Sequence, residues 1–153
     1  MQNSVFSSFK IRICLVDGGG DIYAGQKPPD EIGWKIQLME LGNNKKFMTL
    51  TNRAIATSGD LYRYFEYKGT KYSHIINPRT GMGITIRRTV SVLAPNAMTA
   101  DVLATILSID GPGSGFRLIK KLKGTGAFIV QKEGDRTVTY QFGEIYSNIS
   151  QIY

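Results

Sequence analysis

Cysteine and histidine are nearly absent from this chain: Cys14 stands alone among 153 residues, and His74 is its one imidazole. A lone cysteine excludes a disulfide framework and a cysteine-based metal site, and the place of Cys14 in an alternating apolar segment predicts a buried structural thiol rather than a nucleophile. Long hydrophobic runs are missing too. No apolar stretch approaches the roughly 20 residues of a membrane helix, and Met1 to Phe9 has neither the basic start nor the apolar centre of a secretion signal, so no membrane segment and no export signal are expected here. Repeats and low-complexity tracts are absent. With 42% hydrophobic residues, the composition argues against disorder and predicts one globular domain over residues 1–153, burying about two-thirds of its unfolded surface. Acidic residues are in the minority, 12 against 19 basic, for a net charge of +7. That balance suits an anionic ligand such as a pyrophosphate. The basic residues are scattered, and pairs such as Lys45-Lys46, Arg87-Arg88 and Lys120-Lys121 have no nucleic-acid motif around them. They read as solvated surface, and no nucleic-acid partner is expected.

What is present is a series of short alternating segments. Ile11, Ile13 and Leu15 share one side of a strand, the period of a half-buried β-element. The glycines Gly18 to Gly20 and Asp21 follow, a turn whose open amides suit a ligand phosphate and suit a plain tight turn equally. Gln26 to Asp30 is a surface loop. Trp34, Ile36 and Leu38 alternate in Gly33 to Met39, and Gly42-Asn43-Asn44 turns the chain into a third strand, Lys46 to Thr51. Arg53 to Thr57 is a short buried strand running into Ser58-Gly59-Asp60, a turn that offers a hydroxyl, an open backbone and a carboxylate. Lys68-Gly69 closes a hairpin between Leu61–Tyr67 and Thr70–Ile76. Its aromatics Tyr62, Tyr64, Phe65 and Tyr67 are expected to pack the sheet.

Thr85 to Ala94 is a β-branched strand, after which Asn96 is the expected N-cap of a helix from about Ala97 to Ile109. Ala100, Leu103, Ala104 and Leu107 form its apolar stripe. Gly111-Pro112-Gly113 breaks the chain before a second helix, Ser114 to Lys123, closed by Gly124. A last hairpin joins Gly126–Gln131 to Thr137–Phe142 around Glu133-Gly134-Asp135. The class is therefore α+β: a largely antiparallel sheet with two packed helices.

Chemistry concentrates around Ser73-His74-Ile75-Ile76-Asn77-Pro78-Arg79-Thr80-Gly81. Tyr72, His74 and Ile76 would share one strand face, giving His74 apolar neighbours and a neutral, basic imidazole suited to take a proton; a strand histidine bonded to backbone is the structural alternative. Arg79 and Thr80 supply a guanidinium and a hydroxyl beside it. On the helix, Asp101 and Thr105 are four residues apart, so carboxylate and hydroxyl stand one turn apart on one face, within reach of a common ion or simply solvated. Magnesium accepts a few hard oxygens from protein and the rest from phosphate and water.

Four strings, Gly18-Gly19-Gly20-Asp21-Ile22, Ala56-Thr57-Ser58-Gly59-Asp60, His74-Ile75-Ile76-Asn77-Pro78-Arg79-Thr80-Gly81 and Asp101 with Thr105, come in an order that resembles the ApbE-like FAD:protein FMN transferases. The resemblance spans roughly Ile11 to Val130. Asn77 stands where that family usually has aspartate. The resemblance implies a T-fold-like architecture and Mg²⁺-dependent transfer of FMN from FAD to a Thr or Ser hydroxyl of an acceptor protein, with release of AMP. It implies His74 as the base, Asp101 and Thr105 as metal ligands, and Gly19, Gly20, Asp21, Ser58, Gly59, Asp60, His74, Ile75, Arg79 and Thr80 along the nucleotide cleft.

Members of that family are about twice this long, and the resemblance covers their C-terminal half. A FAD pyrophosphatase, a flavin-binding module without turnover and an inactive remnant therefore stand beside the transferase as readings. A strand deprived of its neighbour would leave an exposed edge and a tendency to self-associate. Family members often work outside the cytoplasmic membrane as lipoproteins; the compartment of this chain is not set by its sequence.

Overall fold

The computed structural model describes residues 8–38, 46–59, 64–144 and 149–151. The expected Gly42-Asn43-Asn44 turn, Asp60, Leu61 and Tyr62 lie outside the described residues. In chain order come β1 (Leu15–Asp17), β2 (Ile22–Ala24), β3 (Trp34–Leu38), β4 (Lys46–Leu50), β5 (Arg53–Gly59), β6 (Tyr64–Tyr67), β7 (Thr70–Ser73), β8 (Ile76–Asn77), β9 (Met82–Gly83) and β10 (Arg88–Ala94). The helix α1 (Ala97–Lys121) follows, then β11 (Gly126–Glu133), β12 (Arg136–Gly143) and β13 (Ile149–Gln151). A six-stranded sheet has the order β1-β2-β5-β10-β11-β12, and each neighbouring pair is antiparallel. A second sheet has the order β13-β4-β3, and β6-β7 and β8-β9 are separate two-stranded pairs.

The alternation of β10 explains the layering. Val90, Val92 and Ala94 face α1 together with Ala54, Ala56, Ala127 and Ile129, and meet Ala100, Leu103, Ala104 and Leu107 of the helix. Leu93, from the opposite face, joins Ile55, Phe128 and Val130 against Ile36, Leu38, Met48 and Leu50 of the smaller sheet. Covered on both faces, β10 is buried throughout. Small alanines on β5 let the helix approach closely, which fixes Asp101 and Thr105 above the sheet.

Asn96 caps α1 as expected, its Oδ1 accepting the N–H of Thr99 at 2.9 Å. Where two separate helices were expected, helical structure continues to Lys121 and the break survives as a kink at Gly111, with φ 78° and ψ −176°. Arg88 is the reason. Expected as solvated surface, it is 5% exposed, and its Nη1 donates to the carbonyls of Leu107 and Ser108 at 3.3 and 3.2 Å. It thus satisfies carbonyls that the kink releases from the helical ladder. Among the described residues, no helix is long and apolar enough to cross a membrane.

Two expectations about faces are corrected. Ile11 and Ile13 precede β1, which begins only at Leu15, and Ile11, Ile13 and Leu15 are 45%, 50% and 41% exposed beside the outermost strand of the sheet; Cys14 among them is only half-buried. The residues of β6 are likewise all exposed. Tyr64, Phe65 and Tyr67 stand on a hairpin that leaves the sheet instead of packing it.

Candidate functional site

The Gly18-Gly19-Gly20 turn is shaped by the residue before it. Asp17 Oδ1 accepts the N–H groups of Gly19 and Gly20 at 2.9 and 2.8 Å. Gly18 N–H donates to the carbonyl of Asp21 at 3.0 Å. Glycine is required at 19 and 20 by their positive φ of 89° and 108°, not by crowding, since an added Cβ would meet nothing within 4 Å. The amides expected to lie open for a phosphate are therefore engaged by a carboxylate. The turn instead delivers Asp21 to the start of β2, half-buried, on the side of the sheet that α1 covers.

Asp21 there feels the charge of Asp101 on the helix. Burial first, then the carboxylates of Asp101 and Asp17, push the Asp21 carboxyl above the ordinary carboxylate range. On α1, Asp101 is exposed and Thr105 half-buried. Among the described residues, no three His, Cys, Asp or Glu side chains converge into a metal-holding group. The donors here are a hydroxyl and one or two carboxylates. That small, hard-oxygen set fits a magnesium ion whose remaining positions go to phosphate and water, and does not fit a zinc-type cage.

Ser58 and Gly59 close β5, in register with Val90 and Thr89 of β10. Ser58 follows Ala54 and Ala56 by alternation and so faces the helix side, half-buried. Gly59 has a packing reason: a Cβ would come within 3.1 Å of the Arg88 carbonyl and 3.2 Å of Thr89 Cα.

His74 is not a strand residue. β7 ends at Ser73, whose side chain is buried and whose Oγ accepts the N–H of Ile75 at 3.1 Å. This local bond turns the chain at His74 and leaves the imidazole exposed. His74 is therefore exposed rather than sheltered on a strand face as expected, and access rather than burial distinguishes the group. After it, Thr80 and Gly81 N–H donate to the Asn77 carbonyl at 3.2 and 2.9 Å. Met82 N–H donates to Thr80 Oγ1 at 3.3 Å. Thr80 is therefore engaged in shaping its own turn, while Ile75 is half-buried within it.

Arg79 reaches away from this turn. Its Nη1 lies 3.0 Å from Asp110 Oδ1 at the end of the first helical segment. The structure thus sets Asp21 within reach of the charge of Asp101, and brings the turn after His74 to Asp110. Asp17, Arg88 and Asp110 were missed by the sequence reading. An aspartate just before three glycines is a legible signal for a side-chain-closed turn; the burial of Arg88 and the pairing of Asp110 depend on the kink and left none.

Comparison with known proteins identifies the family and its fold. The sequence model of the ApbE family matches residues 3–129. A FAD:protein FMN transferase of Vibrio cholerae serotype O1 is 39% identical over 106 residues, 66% of this chain and 32% of that protein. The FAD:protein FMN transferase of Escherichia coli strain K12 is 28% identical over 131 residues, 82% of this chain and 37% of that protein. Among solved structures, the flavin transferase ApbE of Vibrio cholerae superimposes with a TM-score of 0.81 at 29% identity, covering 95% of this chain and 47% of its own. The apo form of the Pseudomonas stutzeri flavinyl transferase ApbE gives 0.70 at 33% identity, covering 84% and 40%. The chain spans about a third of the length of these curated relatives and less than half of the solved structures.

Proposed function

Because the chain belongs to the ApbE family, we propose that it carries the catalytic portion of a FAD:protein FMN transferase, moving FMN from FAD to a Thr or Ser hydroxyl of an acceptor protein. The observation that carries this reading is the placement of Asp101, exposed, and Thr105, half-buried, one turn apart on α1, with the Asp21 carboxylate near enough for the charge of Asp101 to act on it; these oxygens would supply a small hard-oxygen site, and His74 is exposed on its own arm. In the reaction the acceptor oxygen bonds to the FMN phosphorus as the bond from that phosphorus to the bridging oxygen breaks. AMP leaves with the bridging oxygen, and His74 takes the hydroxyl proton. Asp101 and Thr105 would hold Mg²⁺, which when bound neutralises charge on the pyrophosphate. Ser58, Gly59, Asp60 and the Gly19-Gly20-Asp21 turn would line the nucleotide, with Ile75, Arg79 and Thr80 forming the wall beyond the histidine. The T-fold-like architecture and self-association through β1 belong to the same proposal.

The test is release of AMP from FAD with Mg²⁺, with and without acceptor protein, for the parent chain, His74→Ala and Asp101→Ala. Covalent FMN on the acceptor, lost in both variants, is the expected result. AMP release without attachment would favour a FAD pyrophosphatase. Flavin binding without AMP would leave a binding module, and neither from folded protein would sink the catalytic reading.

A further inference from the structure

Resting on that reading, we infer that the Asp110–Arg79 ion pair is a latch that docks the His74 arm onto the helix bearing Asp101 and Thr105, with Asp110 as a positioning residue. The arm, residues 64–86, leaves the main sheet between two strands that are themselves neighbours, β5 and β10. Its hairpins pair with neither larger sheet. Among the described residues, none of its side chains belongs to either core cluster. Its position relative to α1 is therefore not set by core packing.

Within itself the arm is tied firmly around His74. Ser73 N–H donates to the Ile84 carbonyl at 2.8 Å, and Ile84 N–H to the Ile75 carbonyl at 3.1 Å, so both neighbours of His74 are bonded across to one residue. The Asn77 turn continues the unit: Arg79 N–H donates to Asn77 Oδ1 at 2.9 Å. Displacement of Arg79 thus carries residues 73–84, and His74 with them.

The other end of the latch is equally fixed. Asp110 is the last residue before the Gly111 kink, and Arg88 holds the carbonyls of Leu107 and Ser108 just ahead of it. Asp110 is 22% exposed and Arg79 74%. A pair so open to water is weak and screened by salt, so it registers the arm reversibly and contributes little to global stability.

Hydrogen exchange and FMN transfer on the whole chain test this, using Asp110→Asn and the reciprocal double variant Arg79→Asp with Asp110→Arg. Asp110→Asn is expected to speed exchange at residues 73–84 about two- to five-fold while β10 and β11 stay unchanged, and to lower kcat more than it alters the KM for FAD. The charge swap restores the exchange rates, and about 1 M salt brings the parent to the level of the single variant. Unchanged exchange in Asp110→Asn, or a swap no slower than that variant, overturns the latch. Faster exchange with unaltered kcat overturns the positioning role. A parent chain that transfers no FMN defeats the functional reading and the positioning role with it, while exchange still decides the latch.

Discussion

Asn77 Oδ1 accepts the backbone N–H of Arg79 at 2.9 Å and so closes the turn beyond His74, as the carboxylate of an aspartate at this position would. Either side chain presents an acceptor oxygen there, and the bond does not depend on charge. Asn77→Asp is accordingly expected to leave stability within about 0.5 kcal/mol of the parent. Asn77→Ala removes the acceptor and should cost about 0.5–1.5 kcal/mol. Denaturant unfolding checks both, and equal losses from the two substitutions would count against this account of the turn.

The half-buried Asp21 sets a pH dependence of definite sign. The folded-state pKa of Asp21 is raised by burial and by its carboxylate neighbours above the ordinary 3.8. The native state therefore holds a proton that the unfolded state releases, and stability falls as pH rises from about the unfolded value through the folded one. Asp21→Asn abolishes this penalty. In metal-free buffer the variant should melt higher than the parent at neutral pH, with the difference shrinking as pH falls toward 3.8. Thermal melts across that range decide the matter, and a gap that widened on acidification would contradict the raised Asp21 carboxyl.

The kink at Gly111 joins backbone strain to a buried cation. Its φ of 78° with ψ of −176° lies in a region that glycine alone occupies readily, and a Cβ would meet Arg88 Nη1 at 2.8 Å. Gly111→Ala should therefore destabilise by about 1–3 kcal/mol. Arg88→Ala leaves the Leu107 and Ser108 carbonyls without this donor inside the core and should cost about 2–3 kcal/mol. Because the two residues serve one feature, the double variant is expected to cost less than the sum of the singles. Additive losses in chemical denaturation would show that Arg88 acts elsewhere.

Much of the fold is visible in the sequence because local chemistry dictates it. Lys68 and Gly69 both take positive φ, 47° and 77°, as a two-residue hairpin loop demands. Asn96 caps the helix, and the stripe at Ala100, Leu103, Ala104 and Leu107 is buried as its spacing predicts. What was not visible depends on tertiary placement. Alternation from Ile11 to Leu15 predicts a half-buried strand, but the strand begins only at Leu15, and no pattern within a segment says whether a second layer covers it. Likewise His74 keeps strand-like spacing from Tyr72 and Ile76, yet the Ser73 side chain captures the Ile75 amide and the strand ends at Ser73, three residues short of Ile76. The same limit hid Arg88, whose charge argues for solvent until the helix carbonyls at the kink supply partners.

The uncovered apolar row on β1 leads to the last prediction. β1 is the outermost strand of the six-stranded sheet, and its exposed Leu15 continues the row begun by Ile11 and Ile13. An edge with free backbone groups and adjoining apolar side chains is a template for another strand. The chain is therefore expected to associate with itself in a concentration-dependent way, read by light scattering or sedimentation. Ile13→Lys with Leu15→Lys should shift the population to monomer, since lysines on an edge oppose pairing. Folding should be little affected because both side chains already face solvent. A monodisperse monomeric parent at high concentration would show that the edge is shielded by other means, and an oligomer that survives both lysines would place the contact elsewhere, with the exposed aromatics of β6 as the next surface to alter.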